Sequence, residues 1–445
     1  MNSLNLSKMS PLNDPSFIFG VATSSFQIEG ARESRQDTIW DTFCATKGNI
    51  ADASNGDVAC EHVKFWQQDL EMIAELGVDA YRFSIAWARV INQDGSKNKA
   101  GLAFYQKLLD KLDELNIKAF ITLYHWDLPQ HLEDAGGWLN RNTAKAFADY
   151  VDIVSKEFGE QVFSYATLNE PWCSAYLGYE VGIHAPGLKG KQHGKQAAHN
   201  LLLAHGLAMQ VLRKNAPSSK SGVVLNFSPS YAASAKEEDI AAAKLADEHF
   251  NQWYLRPLIE GRYPDIIKCM PQEQRPIIEA GDMSIISQPL DFLGINYYSR
   301  AVYQSCEQDG FKVCPPQTMN LTDMGWEVYP HGLLKLLTDL NKRYTLPDIY
   351  ITENGAAIDD KLIDGQVVDI ERISYLHSHL NAVEQAMTSG VKIKGYFAWS
   401  LMDNFEWAEG YKKRFGIVHV NYQTQQRTLK QSALAYRDML LARNK

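Results

Sequence analysis

The sequence lacks several features that would point to a membrane, a nucleic acid or a metal as a partner. It has no apolar run of membrane-spanning length, and its first 16 residues are polar, without the apolar centre of a signal peptide. Its six cysteines form neither a Cys-x-x-Cys pair nor a spaced Cys/His set. It has no basic runs, and 44 Lys and Arg against 53 Asp and Glu give a net charge of −9. We therefore expect no metal, no nucleic acid and no membrane partner, and a reducing cytoplasm is the simplest compartment.

Linkers, low-complexity segments and internal repeats are also missing from the 445 residues. Instead, short apolar runs alternate with segments of helical periodicity. The runs predict eight strands, at residues 17–22, 80–86, 118–124, 163–168, 222–227, 291–297, 349–352 and 393–399. The alternation predicts an α/β protein, a (β/α)8 TIM barrel that forms a single domain over residues 17–445 after an N-terminal extension at 1–16.

A long polar stretch at residues 299–320 interrupts this alternation. Long loops that follow barrel strands lie at the catalytic end, so the stretch could form a rim of the binding cleft. A mobile surface insertion is an equally good interpretation.

Two of the predicted strands end in a glutamate. Glu170 follows the run at 163–168, and Glu353 follows the run at 349–352. A carboxylate at the end of a buried strand is costly unless it has a use there. Parallel barrel strands deliver their carboxyl ends to one mouth, where two carboxylates together can hydrolyse a glycosidic bond.

Three segments resemble the signatures of glycoside hydrolase family 1. They are residues 167–171 (Thr-Leu-Asn-Glu-Pro), residues 351–355 (Ile-Thr-Glu-Asn-Gly) and residues 19–30, which begin Phe-Gly-Val-Ala. The match follows the family's order from about residue 17 to the end of the chain. The resemblance implies that Glu170 is the general acid/base and Glu353 the nucleophile of a double displacement. It implies no cofactor.

A charged residue, Arg82, interrupts the apolar run at 81–85. A buried arginine needs an anion, and the resemblance gives it Glu353, with Tyr298 as a second partner of that carboxylate. The alternative is a structural ion pair within the barrel.

The resemblance also implies a sugar-binding set. Asn169 would bond the 2-hydroxyl, Trp399 would stack under the ring, and Glu406 would accept two hydroxyl hydrogens. The alternatives are that Asn169 bonds its own backbone and that a lone histidine at 125 is structural. The substrate-binding residues are Gln27, His125, Trp126, Asn169, Asn296, Trp399, Glu406 and Trp407, and those on the leaving-group side are Trp172, His184 and Trp326.

The function that this resemblance implies is that of a retaining exo-β-glycosidase. We expect a β-glucosidase acting on cellobiose, cello-oligosaccharides and aryl β-glucosides, as in cellulose degradation, with side activity on β-galactosides and β-fucosides. Its partner would be a small-molecule β-glycoside or oligosaccharide, and the sequence does not fix the oligomeric state. Two alternatives are a 6-phospho-β-glycosidase and a carbohydrate-binding barrel without catalysis. Phospho-specific members carry serine, lysine and tyrosine where this chain has Glu406, Lys413 and Phe415, so we expect an unphosphorylated sugar.

Overall fold

Eight parallel strands close into a barrel, and each is followed along the chain by a long helix. The structure is a computed structural model and describes residues 3–443. The barrel strands are β1 Ile18–Ala22, β2 Ala80–Ser84, β3 Lys118–Thr122, β4 Ser164–Asn169, β5 Lys220–Asn226, β6 Phe292–Asn296, β7 Asp348–Asn354 and β8 Ile393–Trp399. The long helices are α1 His62–Glu75, α2 Lys99–Glu114, α3 Arg141–Phe158, α4 Lys191–Asn215, α5 Glu237–Asp247, α6 Pro330–Arg343, α7 Ile370–Thr388 and α8 Gln431–Arg443.

The barrel closes because its first and last strands pair. The strand order is β1-β8-β7-β6-β5-β4-β3-β2, and Ile18 lies opposite Gly395 while Ala22 lies opposite Trp399. The predicted (β/α)8 TIM barrel is therefore confirmed, and the predicted strand ends differ from those observed by at most two residues.

Alternate residues of the barrel strands pack into two different cores, one inside the barrel and one between the strands and the helices. In β8, Phe397 faces the barrel interior, where its ring lies 4.8 Å from that of Phe120, while Tyr396 packs outward against the helices. Aromatic rings fill the interior, so the barrel is a packed core rather than a pore. Trp399 is the last inward-facing residue of β8 and lies at the carboxyl end of the barrel.

The polar stretch at 299–320 is partly folded, so it is not wholly irregular. Ala301–Gln304 pairs with Ser230–Ala232 and with Lys312–Val313 in a three-stranded sheet. Val302 and Tyr303 are each only 7% exposed, because this sheet packs on α5. Strands of two to four residues carry too little alternation to be recognised in the sequence.

The remaining elements are short. Helical turns occur at Pro11–Asn13, Ser25–Ile28, Arg32–Ser34, Ile39–Ala45, Trp87–Val90, Gln130–Asp134, Gly137–Leu139, Gly159–Gln161, Cys173–Val181, Glu248–Gln252, Trp253–Glu260, Ile266–Cys269, Gln272–Gln274, Asp282–Ile286 and Trp407–Glu409. Further strands pair as two hairpins, Leu362–Ile363 with Gln366–Val367 and Val418–Val420 with Arg427–Leu429.

Near the N-terminus, Leu4 and Leu12 are buried against the main core. The boundary at residue 16 and the single domain at 17–445 stay predictions. Between residues 3 and 443, none of the helices combines the length and the apolar character that crossing a bilayer would need.

Candidate active site

A cavity of about 720 Å³ lies at the carboxyl end of the barrel strands. Both glutamates that end predicted strands line it, as do residues from the loops after β3, β4, β5, β6 and β8. Twelve of the fifteen predicted site residues lie in its wall: His125, Trp126, Glu170, Trp172, His184, Asn296, Tyr298, Trp326, Glu353, Trp399, Glu406 and Trp407.

The carboxylate of Glu353 is buried, with 3% exposure, and both of its oxygens accept strong hydrogen bonds. Arg82 Nη1 donates to Oε1 at 2.6 Å, and Tyr298 Oη donates to Oε2 at 2.7 Å. A cation and a hydroxyl donor favour the ionised form of a carboxylate. Gly355 lets β7 approach β8 here, because a Cβ at this position would collide with the carbonyl oxygen of Trp399. Glu353 thus forms an ion pair with Arg82 and accepts a further hydrogen bond from Tyr298.

A hydrogen-bonded bridge connects the two glutamates. Arg82 Nη2 donates to Asn169 Oδ1 at 2.7 Å. The amide of Asn296 donates both to that oxygen at 3.1 Å and to Glu170 Oε1 at 2.6 Å. The strand ends of β2, β4, β6 and β7 are thereby locked in one arrangement, with the two carboxylates on the same cavity.

His125 completes this bridge as a neutral acceptor. Its Nε2 accepts from Asn169 Nδ2 at 3.1 Å. Burial and the nearby charge of Arg82 lower its pKa well below the usual range. A neutral imidazole can accept from the amide, which leaves the Asn169 oxygen to its two donors.

The second carboxyl group, that of Glu170, has a different environment. Burial and the charge of Glu353 raise its pKa to about 7, against hydrogen bonds from Cys173 and Asn296 that lower it. Its backbone has a φ of 46°, in the left-handed region that non-glycine residues rarely adopt. Two carboxyl groups whose environments push their proton affinities apart are suited to acid and nucleophile roles.

We expect kcat/KM to fall as the pH rises through about 7, because Glu170 then loses the proton that it must donate. The thiol of Cys173 donates to Glu170 Oε2 at 2.9 Å and so favours its ionised form. Cys173→Ala should therefore raise the pKa of Glu170 and move this alkaline limb to higher pH. The measurement is kcat/KM against pH, with Cys44→Ala, a half-buried cysteine far from Glu170 in sequence, as the control. An unmoved limb in a folded Cys173→Ala variant would contradict the role of this thiol.

Aromatic rings and a third carboxyl group form the inner end of the cavity. The rings of Trp126 and Trp407 lie 4.6 Å apart, and His125 lies 5.9 Å from both Trp399 and Trp407. Burial and the charges of Glu353 and Glu170 raise the pKa of Glu406 to about 8. Within residues 3–443, Glu406 Oε2 has no hydrogen-bond partner. An apolar platform beside a free acceptor suits a polyhydroxyl ring.

The loop that carries Glu406 is anchored by buried charges. Asp403 accepts from Lys430 Nζ and from Arg414 Nη1, both at 2.6 Å. Lys430 also donates to Asp360, which Arg372 holds from the other side at 2.7 Å. Removing one partner of such a buried group costs about 3–5 kcal/mol. The position of Glu406, three residues after Asp403, thus depends on contacts made by the end of the chain.

The outer end of the cavity carries the three predicted leaving-group residues. Trp326 is 37% exposed, and its ring lies 5.6 Å from that of Tyr298. His184 packs on Trp40 at 5.3 Å, and burial lowers its pKa to about 4. Trp172 stacks on Tyr176 at 5.1 Å. These rings leave an apolar surface toward solvent.

Three predicted site residues lie behind the wall instead of in it. Arg82 and Asn169 form the bridge described above, and Gln27 is fully buried, donating to Asn404 Oδ1 and to the Phe405 carbonyl oxygen, both at 2.9 Å. Direct contact of Gln27 and Asn169 with a sugar stays a prediction. The sequence analysis did not identify Cys173, although a spacing of three residues is that of a turn, and here Cys173 N donates to the carbonyl oxygen of Glu170 at 2.9 Å.

Comparison with known proteins agrees with this geometry. Residues 12–445 match the sequence model of Glycosyl hydrolase family 1. A beta-glucosidase from Agrobacterium sp. is 44% identical over 430 residues, which cover 94% of this chain and 93% of that protein. A bifunctional beta-D-glucosidase/beta-D-fucosidase from Bifidobacterium breve is 42% identical over 449 residues, covering 95% and 96%. A Thermotoga maritima family 1 glycoside hydrolase, solved with a cyclophellitol analogue that mimics the transition state, superposes with a TM-score of 0.94 at 41% identity over 99% of both chains. The chain belongs to Glycosyl hydrolase family 1.

Proposed function

We propose that the protein is a retaining exo-β-glycosidase, and specifically a β-glucosidase. It releases terminal non-reducing β-D-glucosyl residues from cellobiose, cello-oligosaccharides and aryl β-glucosides. The observation that carries this proposal is the pair of carboxyl groups on one cavity, Glu353 beside a cation and Glu170 with its pKa raised to about 7. Activity on β-fucosides is supported by the name of the Bifidobacterium breve relative. Activity on β-galactosides, a part in cellulose degradation and a cytoplasmic location stay predictions.

The first step is a displacement at the anomeric carbon. The carboxylate of Glu353 attacks this carbon while Glu170 gives its proton to the departing glycosidic oxygen, and a covalent glycosyl-enzyme forms. The bond to the leaving group breaks as the bond to Glu353 Oε forms. The hydrogen bonds of Asn169 and Arg82 keep the two carboxyl groups in position during this step.

In the second step Glu170 acts as the base. Once Glu353 is esterified it carries no charge, so one of the causes that raise the pKa of Glu170 is gone. Glu170 then takes a proton from water, which attacks the anomeric carbon and frees Glu353. The net result is hydrolysis with the anomeric configuration kept.

The stereochemical course tests this proposal directly. NMR of the first minutes of hydrolysis of nitrophenyl β-glucoside should show β-glucose before the α-anomer appears by mutarotation. In a structure with bound sugar the two carboxyl groups should lie about 5 Å apart, the separation of retaining enzymes. The α-anomer as first product would overturn the retaining mechanism, and no release of nitrophenol would overturn the β-glucosidase activity.

A sugar without a phosphate is the expected substrate. Of the three positions that would hold a 6-phosphate, Phe415 is buried, and Lys413 pairs with Asp323 at 3.2 Å. Where Glu406 is ionised, above about pH 8, it would oppose a phosphate of about −1.5 to −2 charge in a partly desolvated site, at a cost of several kcal/mol. A protonated Glu406 would still give the phosphate no cation. We expect nitrophenyl β-glucoside to exceed its 6-phosphate in kcat/KM by about 100-fold or more.

Direct competition between the two substrates measures this preference. Above about pH 8, Glu406→Gln removes the opposing charge at nearly constant shape, so it should bring the kcat/KM values of the two substrates closer together. Equal kcat/KM for the two substrates would refute the role given to Glu406.

A further inference from the structure

Tyr298, whose hydroxyl donates to Glu353 Oε2 at 2.7 Å, lies just beyond the regular part of the sheet. The pairing of β7 with β6 shifts register between Ile351 and Glu353. Backbone pairing continues only as far as Tyr297, whose N–H donates to the carbonyl oxygen of Glu353 at 3.0 Å. Such an irregularity turns a side chain toward a site but interrupts the ladder that would fix the backbone. The position of Tyr298 therefore depends on contacts from outside the sheet.

Helix α7 supplies such a contact through Tyr375. The hydroxyl of this residue donates to the carbonyl oxygen of Tyr298 at 3.0 Å and accepts from Asn354 Nδ2 at 3.1 Å. Tyr375 is only 2% exposed and does not line the catalytic cavity. It is thus placed to act on the active site only through other residues.

Asn354, the residue after the nucleophile, sets the direction of the Tyr375 hydroxyl. Its amide nitrogen also donates to the carbonyl oxygen of Tyr297 at 2.7 Å, and its oxygen accepts from Tyr396 Oη at 2.8 Å. A carbonyl oxygen can only accept, so the amide must present its nitrogen to both Tyr297 and Tyr375. The hydrogen of the Tyr375 hydroxyl is then left for Tyr298. Burial raises the pKa of Tyr375 well above its usual range, so the hydroxyl keeps this hydrogen at neutral pH.

The ring of Tyr375 is itself held in place. It stacks on the ring of His379, with centroids 3.9 Å apart and planes at 21°. His379 Nδ1 donates to the carbonyl oxygen of Tyr375 at 2.8 Å, and burial lowers the pKa of His379 to about 4, so this ring is neutral. A hydroxyl on a ring that is locked by packing can hold a neighbouring segment in one position.

We propose that Tyr375 is a positioning residue for the nucleophile. By holding the carbonyl oxygen of Tyr298, it keeps the Tyr298 hydroxyl within hydrogen-bond distance of Glu353. The inference rests on the proposed retaining mechanism, in which Glu353 attacks the anomeric carbon. The alternative is that Tyr375 only fills the core, and its hydroxyl then affects stability alone.

The first test removes this hydroxyl and keeps the ring. In Tyr375→Phe the rate of the first step, measured as rapid release of phenol from dinitrophenyl β-glucoside, should fall about tenfold. A fall of this size is the order of effect of one hydrogen bond. The affinity for glucose should stay within about twofold, because the sugar-binding residues are unchanged. An unchanged rate would overturn the inference.

Tyr436→Phe is the matched control. Tyr436 is a buried residue of α8, and its hydroxyl donates to the carbonyl oxygen of Gly20 in β1 at 3.1 Å. Both variants thus lose a bond from an outer helix to the backbone of the barrel, and their unfolding temperatures should fall by similar amounts. Only Tyr375→Phe should slow the first step. An equal loss of rate in both variants would show that the effect is one of stability.

A double-mutant cycle tests the route through Tyr298. Tyr298→Phe alone should slow the first step, because Glu353 loses a hydrogen bond. Adding Tyr375→Phe to this variant should change the rate by less than about twofold, since no hydroxyl is left to position. A further tenfold fall would show that Tyr375 acts by another route and would overturn the inference.

A crystal structure of Tyr375→Phe without a ligand separates this inference from the proposed function. The distance from Tyr298 Oη to Glu353 Oε2 should increase from 2.7 Å to more than about 3.2 Å, beyond a normal hydrogen bond. In Tyr436→Phe it should not change. This distance needs no substrate, so it tests the role of Tyr375 even if the wild type releases no nitrophenol. An unchanged distance in Tyr375→Phe would overturn the inference.

Discussion

Glu353→Ala should lower kcat for nitrophenyl β-glucoside by a factor on the order of 10⁵ or more, because it removes the carboxylate that attacks the anomeric carbon. The substitution leaves a space beside Arg82 and Tyr298, which held the carboxylate at 2.6 and 2.7 Å. Azide, a small anion, should enter this space, attack the anomeric carbon once and restore turnover. The product is then the α-glucosyl azide, with inverted configuration.

A substitution at a second glutamate shows whether the loss of kcat comes from removing the nucleophile. Glu133 is another partly buried glutamate whose pKa is raised, to about 7, but it bonds Tyr179 away from the cavity. Glu133→Ala should keep most of the activity and should not respond to azide. Retention of turnover in Glu353→Ala, or a β-glucosyl azide as product, would show that another group is the nucleophile.

Glu170→Ala should slow the first step by about 10²–10⁴-fold for leaving groups that need a proton, such as the sugar of cellobiose. Dinitrophenyl β-glucoside, whose leaving group departs as a stable anion, should undergo that step at nearly the wild-type rate. The second step lacks its base, so added azide should speed turnover and give the β-glucosyl azide, with configuration retained. The measurement is pre-steady-state release of phenol across a series of aryl glucosides. Equal losses on good and poor leaving groups would exclude Glu170 as the acid.

The barrel could be predicted from the sequence because each of its strands is buried on both sides. A strand such as β8, with Phe397 turned to the interior and Tyr396 to the helices, appears as a continuous apolar run, and the long helices between runs have one apolar face. The two glutamates could be predicted for the same reason, since a carboxylate at the end of an apolar run is conspicuous. The ends of the strands are less well determined, because hydrogen bonds to the neighbouring strand decide where pairing stops.

The features that could not be predicted from the sequence depend on contacts between residues far apart along the chain. Trp126, Glu170 and Trp407 adopt left-handed backbone conformations, which no local pattern demands and which the surrounding packing must enforce. The pairing of Lys430 with Asp403 and Asp360 spans 27 and 70 residues. A lysine in a polar segment is normally solvated, so nothing in its sequence neighbourhood predicts that it is fully buried.

The pairing of β1 with β8 has a consequence for synthesis on the ribosome. The strand β1, which contains Ile18, pairs on one edge with β8, and β8 begins about 375 residues later, at Ile393. At a translation rate of 5–20 residues per second this interval is roughly 20–75 s, during which one edge of β1 has no partner. Lys430, which anchors the Glu406 loop through Asp403, is synthesised later still. A nascent chain therefore contains Glu170 and Glu353 for some time before its sugar-binding site can form. We expect catalytic activity only after β8 and Lys430 have been synthesised.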